Sequence, residues 1–128
     1  MSTISFAKAI KSLLSSDTIK AVVSNKVYPL IAPLNTSFPY IVFQRTSTPY
    51  STKDNVYQDS LNVEIIAVSD NYDKSVELAE IIRDELEGKR NITIEEFKIA
   101  SIKMIDSNES YANDAYLQSL TFNFRINL

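Results

Sequence analysis

The sequence of 128 residues contains no cysteine and no histidine. These absences exclude disulfide scaffolds, zinc fingers, cysteine nucleophiles and catalytic triads that use a histidine base. Glycine occurs once, at Gly88, so neither a Walker loop nor a Gly-x-Gly-x-x-Gly dinucleotide loop can be present. Only carboxylates or lysines remain to activate a hydroxyl, and nothing marks a particular one. We therefore predict that the protein is not an enzyme and has no catalytic residue, cofactor site or metal site.

Basic side chains are nowhere concentrated enough along the chain to hold nucleic acid. The formal net charge is −3; residues 1–60 carry six basic and three acidic side chains, and residues 61–128 carry seven and thirteen. Without a dense basic run, specific DNA binding through phosphate neutralisation is not expected. No apolar run approaches the ~20 residues of a membrane span. Lys8 and Lys11 interrupt the N-terminal apolar residues, so we predict no signal peptide, no membrane partner and synthesis in the cytosol.

Hydrophobic spacing predicts one α+β domain over residues 1–128. Two short helices open the chain, and strands are expected at Pro39–Arg45 and Leu61–Val68. A longer helix from about Tyr72 to Glu87 follows, with Asn71 near its start and Gly88 just past its end. The predicted order is α-α-β-β-α-β-β, with a single mostly antiparallel β-sheet of about four strands and helices packed on one face.

The C-terminal strand has the cleanest alternation in the chain. Phe122, Phe124 and Ile126 fall on one face and polar residues on the other. We expect the apolar face to pack against the 72–87 helix and the polar face to remain uncovered. Between the last two strands, Asp106 to Asp114 is predicted to form a polar turn.

A regular pattern of carboxylates marks the long helix. Their spacing alternates between four and three residues, which places them on one helix face opposite the apolar one. This acidic stripe consists of Asp73, Glu77, Glu80, Asp84 and Glu87. It is either a solvated outer face or a surface that repels DNA or docks a basic partner, and the spacing is compatible with both.

A long polar loop over residues 46–60 is the second candidate site. Strands joined in a hairpin need only about two to five linking residues, so the excess suggests a contact outside the subunit. Tyrosines supply amphipathic area there and charged side chains supply complementarity. The candidate interface residues are Pro49, Tyr50, Lys53, Asp54, Tyr57 and Asp59.

Four segments in order resemble a known family. They read KVYPLIAP, FPYIVFQRTSTPYS, VEIIAVSDNYDKSVELAEIIRDELEG and LTFNFRI. Together they are similar to the tail completion family of long-tailed bacteriophages, whose members are also called tail terminators or head-tail joining proteins and are often carried in prophages. The family often has glycine in the loop that corresponds to residues 46–60, whereas this chain has none there.

The resemblance implies a virion assembly protein. Members form a ring, generally hexameric, at the head-proximal end of the tail tube; the ring stops tube polymerisation and joins the tail to the head connector. The implied partners are further copies of the chain, the tail tube protein and the connector protein, with DNA passing through without specific binding and no cofactor needed. The implied location is the virion tail, after assembly in the host cytoplasm.

A different class of function also fits the residues. A small monomeric or dimeric α+β module could use the tyrosine-containing loop 46–60 to bind a peptide or small ligand. Molar mass distinguishes the two hypotheses, because a ring predicts a species near six subunits whereas the binding module predicts a monomer or dimer.

Overall fold

The structure is a computed structural model that describes residues 3–47 and 58–127. Within these ranges the chain forms a 3-10 turn, three α-helices and one sheet of six strands. The elements are the 3-10 helix Thr3–Ser5, α1 Ala7–Leu13, α2 Asp17–Val23, β1 Val27–Pro29, β2 Tyr40–Ser47, β3 Gln58–Ser69, α3 Tyr72–Leu86, β4 Arg90–Ile94, β5 Phe97–Ala112 and β6 Ala115–Asn127.

The sheet is mixed, with spatial order β1-β2-β3-β6-β5-β4. β1 pairs in parallel with β2, and every other neighbouring pair is antiparallel. The α+β class is confirmed, but the prediction of about four strands in the order α-α-β-β-α-β-β is wrong. The two additional strands are the edge strands β1 and β4. β1 has only three residues, and its Pro29 cannot donate a ladder hydrogen bond.

The turn between β4 and β5 explains why the strand-like runs 92–94 and 98–105 count as one strand in the predicted order. Ile94 pairs directly with Phe97, so Glu95 and Glu96 alone make the turn, with φ values of 49° and 73°. Tight hairpin turns with two positive φ values are normally marked by Asn-Gly or Asp-Gly. Two glutamates carry no such signal.

The predicted polar turn from Asp106 to Asp114 is also wrong. β5 continues to Ala112, and only Asn113 and Asp114 turn the chain, with φ values of 54° and 61°. Residues 105–112 are all exposed, so this half of β5 has a polar composition although its backbone is a strand. Composition reports solvent contact here rather than backbone conformation.

The helices cover one face of the sheet, and the hydrophobic core lies between the two layers. Phe122, Phe124 and Ile126 are at most 1% exposed on that face, as predicted. Phe6 packs edge-on against Phe124, with ring centroids 5.2 Å apart. α1 contacts both edge strands, β1 and β4, so the sheet curls around it.

α3 begins and ends where the sequence predicts. The Asn71 side chain accepts a hydrogen bond from the Lys74 amide at 3.1 Å, and Gly88 follows with a φ of 80°. Its buried face consists of Ser75, Leu78, Ala79, Ile82 and Leu86. Within the described ranges, no helix has the length and apolar character needed to cross a bilayer.

The second face of the sheet carries polar side chains that bond to one another. Gln44 donates to Glu64 at 2.7 Å, and Ser119 donates to the other oxygen of the same carboxylate. Asn123 donates to Asn62 at 2.8 Å. These cross-strand bonds satisfy the amides and hydroxyls without a helix above them.

Candidate assembly surfaces

The loop predicted as an interface is shorter than the sequence suggests. β2 extends to Ser47 and β3 starts at Gln58, so the two strands take up both ends of the 46–60 segment. Five of the six candidate residues lie outside the described ranges: Pro49, Tyr50, Lys53, Asp54 and Tyr57. The sixth, Asp59, lies on β3 opposite Ile126 and accepts a hydrogen bond from the Ser60 amide at 3.0 Å.

The structure brings the acidic stripe together on the outer face of α3. All five members are exposed: Asp73, Glu77, Glu80 and Asp84 lie opposite the buried face of the helix, and Glu87 follows directly after its last residue. The last of them also has a local contact, because a Glu87 carboxylate oxygen accepts a hydrogen bond from the Met104 amide at 2.6 Å. Exposure is what both the solvated-face and the docking interpretations require.

This hydrogen bond is one of several that residues 87–89 make with the edge of β5. The amide of Gly88 donates to Ile102 at 3.0 Å, and the amide of Ile102 donates to Lys89 at 3.0 Å. β4 pairs with β5 only from Phe97 to Ser101. Among the described residues, the stretch from 105 to 112 therefore has a strand neighbour on one side only, β6. We call this stretch the open β5 edge; the expected polar turn concealed it.

Three tyrosines gather where the open β5 edge meets the start of α3. Ring centroids of Tyr72 and Tyr116 lie 5.5 Å apart, and those of Tyr111 and Tyr116 lie 4.9 Å apart. The Tyr72 hydroxyl donates to a Glu109 oxygen at 2.9 Å, and Gln118 donates to the same oxygen at 2.9 Å. Tyr72 and Tyr111 remain 44% and 59% exposed. The cluster therefore offers aromatic surface of the kind enriched in protein interfaces.

This hydrogen-bond network shifts two pKa values in opposite directions. The bonds from Gln118 and Tyr72 stabilise the carboxylate, so they lower the pKa of Glu109. The bond to Glu109, together with the negative charge of that carboxylate, raises the pKa of Tyr72. At neutral pH the pair is thus a charged acceptor with a neutral donor.

A second apolar surface lies on the connection between β1 and β2. Leu30, Ile31 and Leu34 are 72%, 79% and 92% exposed, and we call this segment the aliphatic loop. Backbone bonds hold it in place: the Leu30 amide donates to the Phe43 carbonyl at 2.8 Å. The Lys26 ammonium donates to the Ser37 carbonyl at 3.0 Å. Clustered exposed aliphatic side chains on an anchored loop are typical of a docking element.

An apolar cleft of about 240 Å³ lies beside the aliphatic loop. Its walls include Phe6, Ile10, Phe43 and Leu61 from the core and Leu30 from the loop. Among the described residues that line it, Arg45 is the single charged side chain. No group of side chains suited to holding a metal ion occurs among residues 3–47 and 58–127.

Comparison with known proteins gives one family and a clear fold relationship. The family model described as tail completion protein gp17 matches residues 8–128. No curated protein matches the sequence. A chain from the virion of a native gene transfer agent particle superposes with a TM-score of 0.75 at 15% identity, covering 95% of this chain and 93% of that one.

A second solved structure gives a TM-score of 0.69 at 10% identity, covering 100% of this chain and 97% of the other. At identities this low, both similarities establish the fold alone. They show that the curled six-stranded sheet with its helices on one face is shared along nearly the full length of all three chains.

Proposed function

Because the chain belongs to the tail completion protein gp17 family, we propose that it forms a ring, most simply a hexamer, at the head-proximal end of a phage tail tube. The ring stops tube polymerisation and joins the tail to the head connector. Membership itself assigns the protein to phage tail assembly. The observation that carries the proposal is the length of the match, 8–128, because it includes every β-strand and α3.

A structural rather than catalytic role agrees with the chemistry of the described surfaces. Their distinctive features are exposed aliphatic, aromatic and acidic side chains instead of a pocket with an acid and a base. The partners we propose are further copies of this chain, the tail tube protein and the connector protein. A fold shared with a chain of a gene transfer agent virion supports a place in a virion.

In such a ring the acidic stripe faces either the lumen or a neighbouring subunit. Facing the lumen, it would let DNA slide, because carboxylates neutralise no phosphates. Facing a neighbour, it would meet basic side chains. A ring reconstruction in which α3 contacts neither DNA nor protein would restore the solvated-face interpretation.

We also propose that residues 49–59 reach a neighbouring protein during assembly. The test replaces 48–57 by a linker of about six Gly and Ser residues, which can join Ser47 to Gln58 because each residue spans up to about 3.5 Å. We expect a variant that folds with unchanged circular dichroism but does not complete tails. Normal tail completion by the shortened chain would show that the loop is a tolerated insertion.

Deletion of the gene from its phage or prophage tests the function itself. We expect full heads, together with tails that are overlong or lack a head, and restoration of joined particles when purified protein is added to the extract. Electron microscopy measures both tail length and attachment. Joined particles with normal tails in the deletion strain would refute the proposal.

A further inference from the structure

The exposed large apolar side chains of the described residues fall mainly into two groups on different edges of the sheet. The aliphatic loop follows β1, which is the first strand of the sheet. Tyr72, Ile105 and Tyr111, which are 44%, 51% and 59% exposed, surround the open β5 edge. Three strands, β2, β3 and β6, separate β1 from β5. One copy therefore presents two different apolar patches on two sides.

Opposite charges accompany the two patches. Residues 3–47, which carry the aliphatic loop, contain five basic side chains and one acidic side chain. α3 and the open β5 edge together contain seven acidic and two basic side chains. Both ends of α3 bond to β5, through Tyr72 and Glu109 and through Glu87 and Met104, so the acidic helix runs alongside this edge. The segment that carries the aliphatic loop is thus opposite in net charge to the segments that carry the open β5 edge.

The unpaired backbone of the open β5 edge is the third observation. The amides of Ile102 and Met104 donate to Lys89 and Glu87, and within the described ranges no strand pairs with this side of β5 beyond them. A long strand edge in solvent invites pairing, and natural proteins usually cover such an edge or shorten it. An open edge beside exposed tyrosines is what a docking segment of a neighbour would complete.

From these three observations we infer that copies of this chain associate head to tail, with the aliphatic loop of one copy packed against the open β5 edge of the next. Two different patches that meet make a heterologous contact, and such contacts close into rings when the rotation allows. The inference rests on the proposed ring and specifies which surfaces build it. It places the acidic stripe of one copy near residues 3–47 of the next, where basic side chains are in excess.

The absence of cysteine allows a direct test. Purified full-length protein with Leu34→Cys and Ile105→Cys is treated with a short bismaleimide at high concentration. The control carries Leu34→Cys and Thr93→Cys, because Thr93 is exposed on β4, opposite Lys98. We expect the first variant to give a ladder of covalent multimers that stops at the ring number, and the control to give only traces. Equal ladders in both variants, or none in the first, would overturn the inference.

Mixing two blocked variants tests the head-to-tail character. Leu34→Glu retains an intact open β5 edge, and Ile105→Glu retains an intact aliphatic loop; in a contact that carries both substitutions, the two glutamates repel each other. Each alone should associate about tenfold more weakly or worse than wild type. In analytical ultracentrifugation, an equal mixture of the two should form a dimer of twice 14.5 kDa and no larger species. The reason is that the intact loop of one variant can pack against the intact edge of the other, whereas no further intact pair is available.

The outcomes separate this inference from the proposed function. Unchanged self-association of both variants would mean that another protein occupies these patches, and an inert mixture would mean that the contact is symmetric; either result overturns the inference. A chain that completes tails yet gives no Leu34–Ile105 cross-link refutes these surfaces alone. A chain that gives the ladder but is absent from tails refutes the function alone.

Discussion

Replacement of Phe124 by alanine tests the packing on which the fold depends. Phe124 is 0% exposed and lies on β6 between Leu61 of β3 and Ile102 of β5. Its ring meets the Phe6 ring edge-on at 5.2 Å and lies 6.5 Å from that of Phe122. Three hydrogen-bonded strands and a helical segment thus hold the walls of the site, so the cavity left by the ring cannot close easily.

For such a site, the loss of a phenylalanine side chain costs about 3–5 kcal/mol. This is a large part of the ~5–15 kcal/mol that stabilises a typical domain. The melting temperature should fall by about 15 °C, by the usual scaling for chains of this size. Urea unfolding followed by circular dichroism measures the free energy, at a protein concentration low enough to keep the chain monomeric.

Tyr111→Ala is the matched control. Tyr111 is also aromatic and also lies on the β5–β6 hairpin, next to its turn, but it is 59% exposed and its ring contacts that of Tyr116. Its removal should cost about 1 kcal/mol. A Phe124→Ala variant that loses no more free energy than Tyr111→Ala would refute the assignment of Phe124 to the core.

Four further predictions concern single features. Asn71→Ala removes the N-cap of α3 and should cost about 1 kcal/mol in urea unfolding; an unchanged midpoint would contradict that role. Gly88→Ala should cost about 1–2 kcal/mol by the same measurement, because no atom lies within 4 Å of an added Cβ and the penalty comes only from the φ of 80°. Tyr72→Phe should raise the pKa of Glu109 toward its ordinary value in a carboxyl NMR titration. Because the pKa of Glu109 is lowered in the folded state, any stability from this bond is present above the ordinary glutamate pKa. That stability is lost as the pH falls through the pKa of the folded state. Replacing the central members of the acidic stripe, Glu77, Glu80 and Asp84, by their amides should raise the urea midpoint, since like charges at this spacing repel by a few tenths of a kcal/mol per pair; a lowered midpoint would show attractive contacts instead.

Strong periodicity made α3 and the apolar face of β6 predictable. Asn71 caps the start of α3 and Gly88 follows its end, and both signals are local and need no tertiary contact. Burial of Phe122 and Phe124 follows from the alternation of apolar and polar residues in β6. The exact buried face of α3 was less predictable: the apolar spacing predicts burial of Val76, but Leu78 is buried and Val76 is only half-buried. The direction in which α3 crosses the sheet decides that, and no local pattern encodes it.

The candidate surfaces were less accessible to sequence reasoning. Tyr111 falls in a polar stretch that has the composition of a turn, and Ile105 lies just before that stretch; only the pairing of β5 with β6 reveals both as part of a strand edge. Leu30 and Leu34 have apolar side chains that composition alone places in a core, whereas the anchored loop holds them in solvent. By contrast, helical spacing alone predicts that Asp73, Glu77, Glu80 and Asp84 share one face of α3, whereas Glu87 lies past the end of the helix and bonds to β5.

Cryo-electron microscopy of isolated tails that carry this protein tests the central claim most directly. The claim predicts a terminal ring of this chain at the head-proximal end of the tube, with six-fold symmetry and with the aliphatic loop of each copy against the open β5 edge of the next. Density for the protein at the opposite end of the tail, or its absence from tails that are complete and joined to heads, would contradict it.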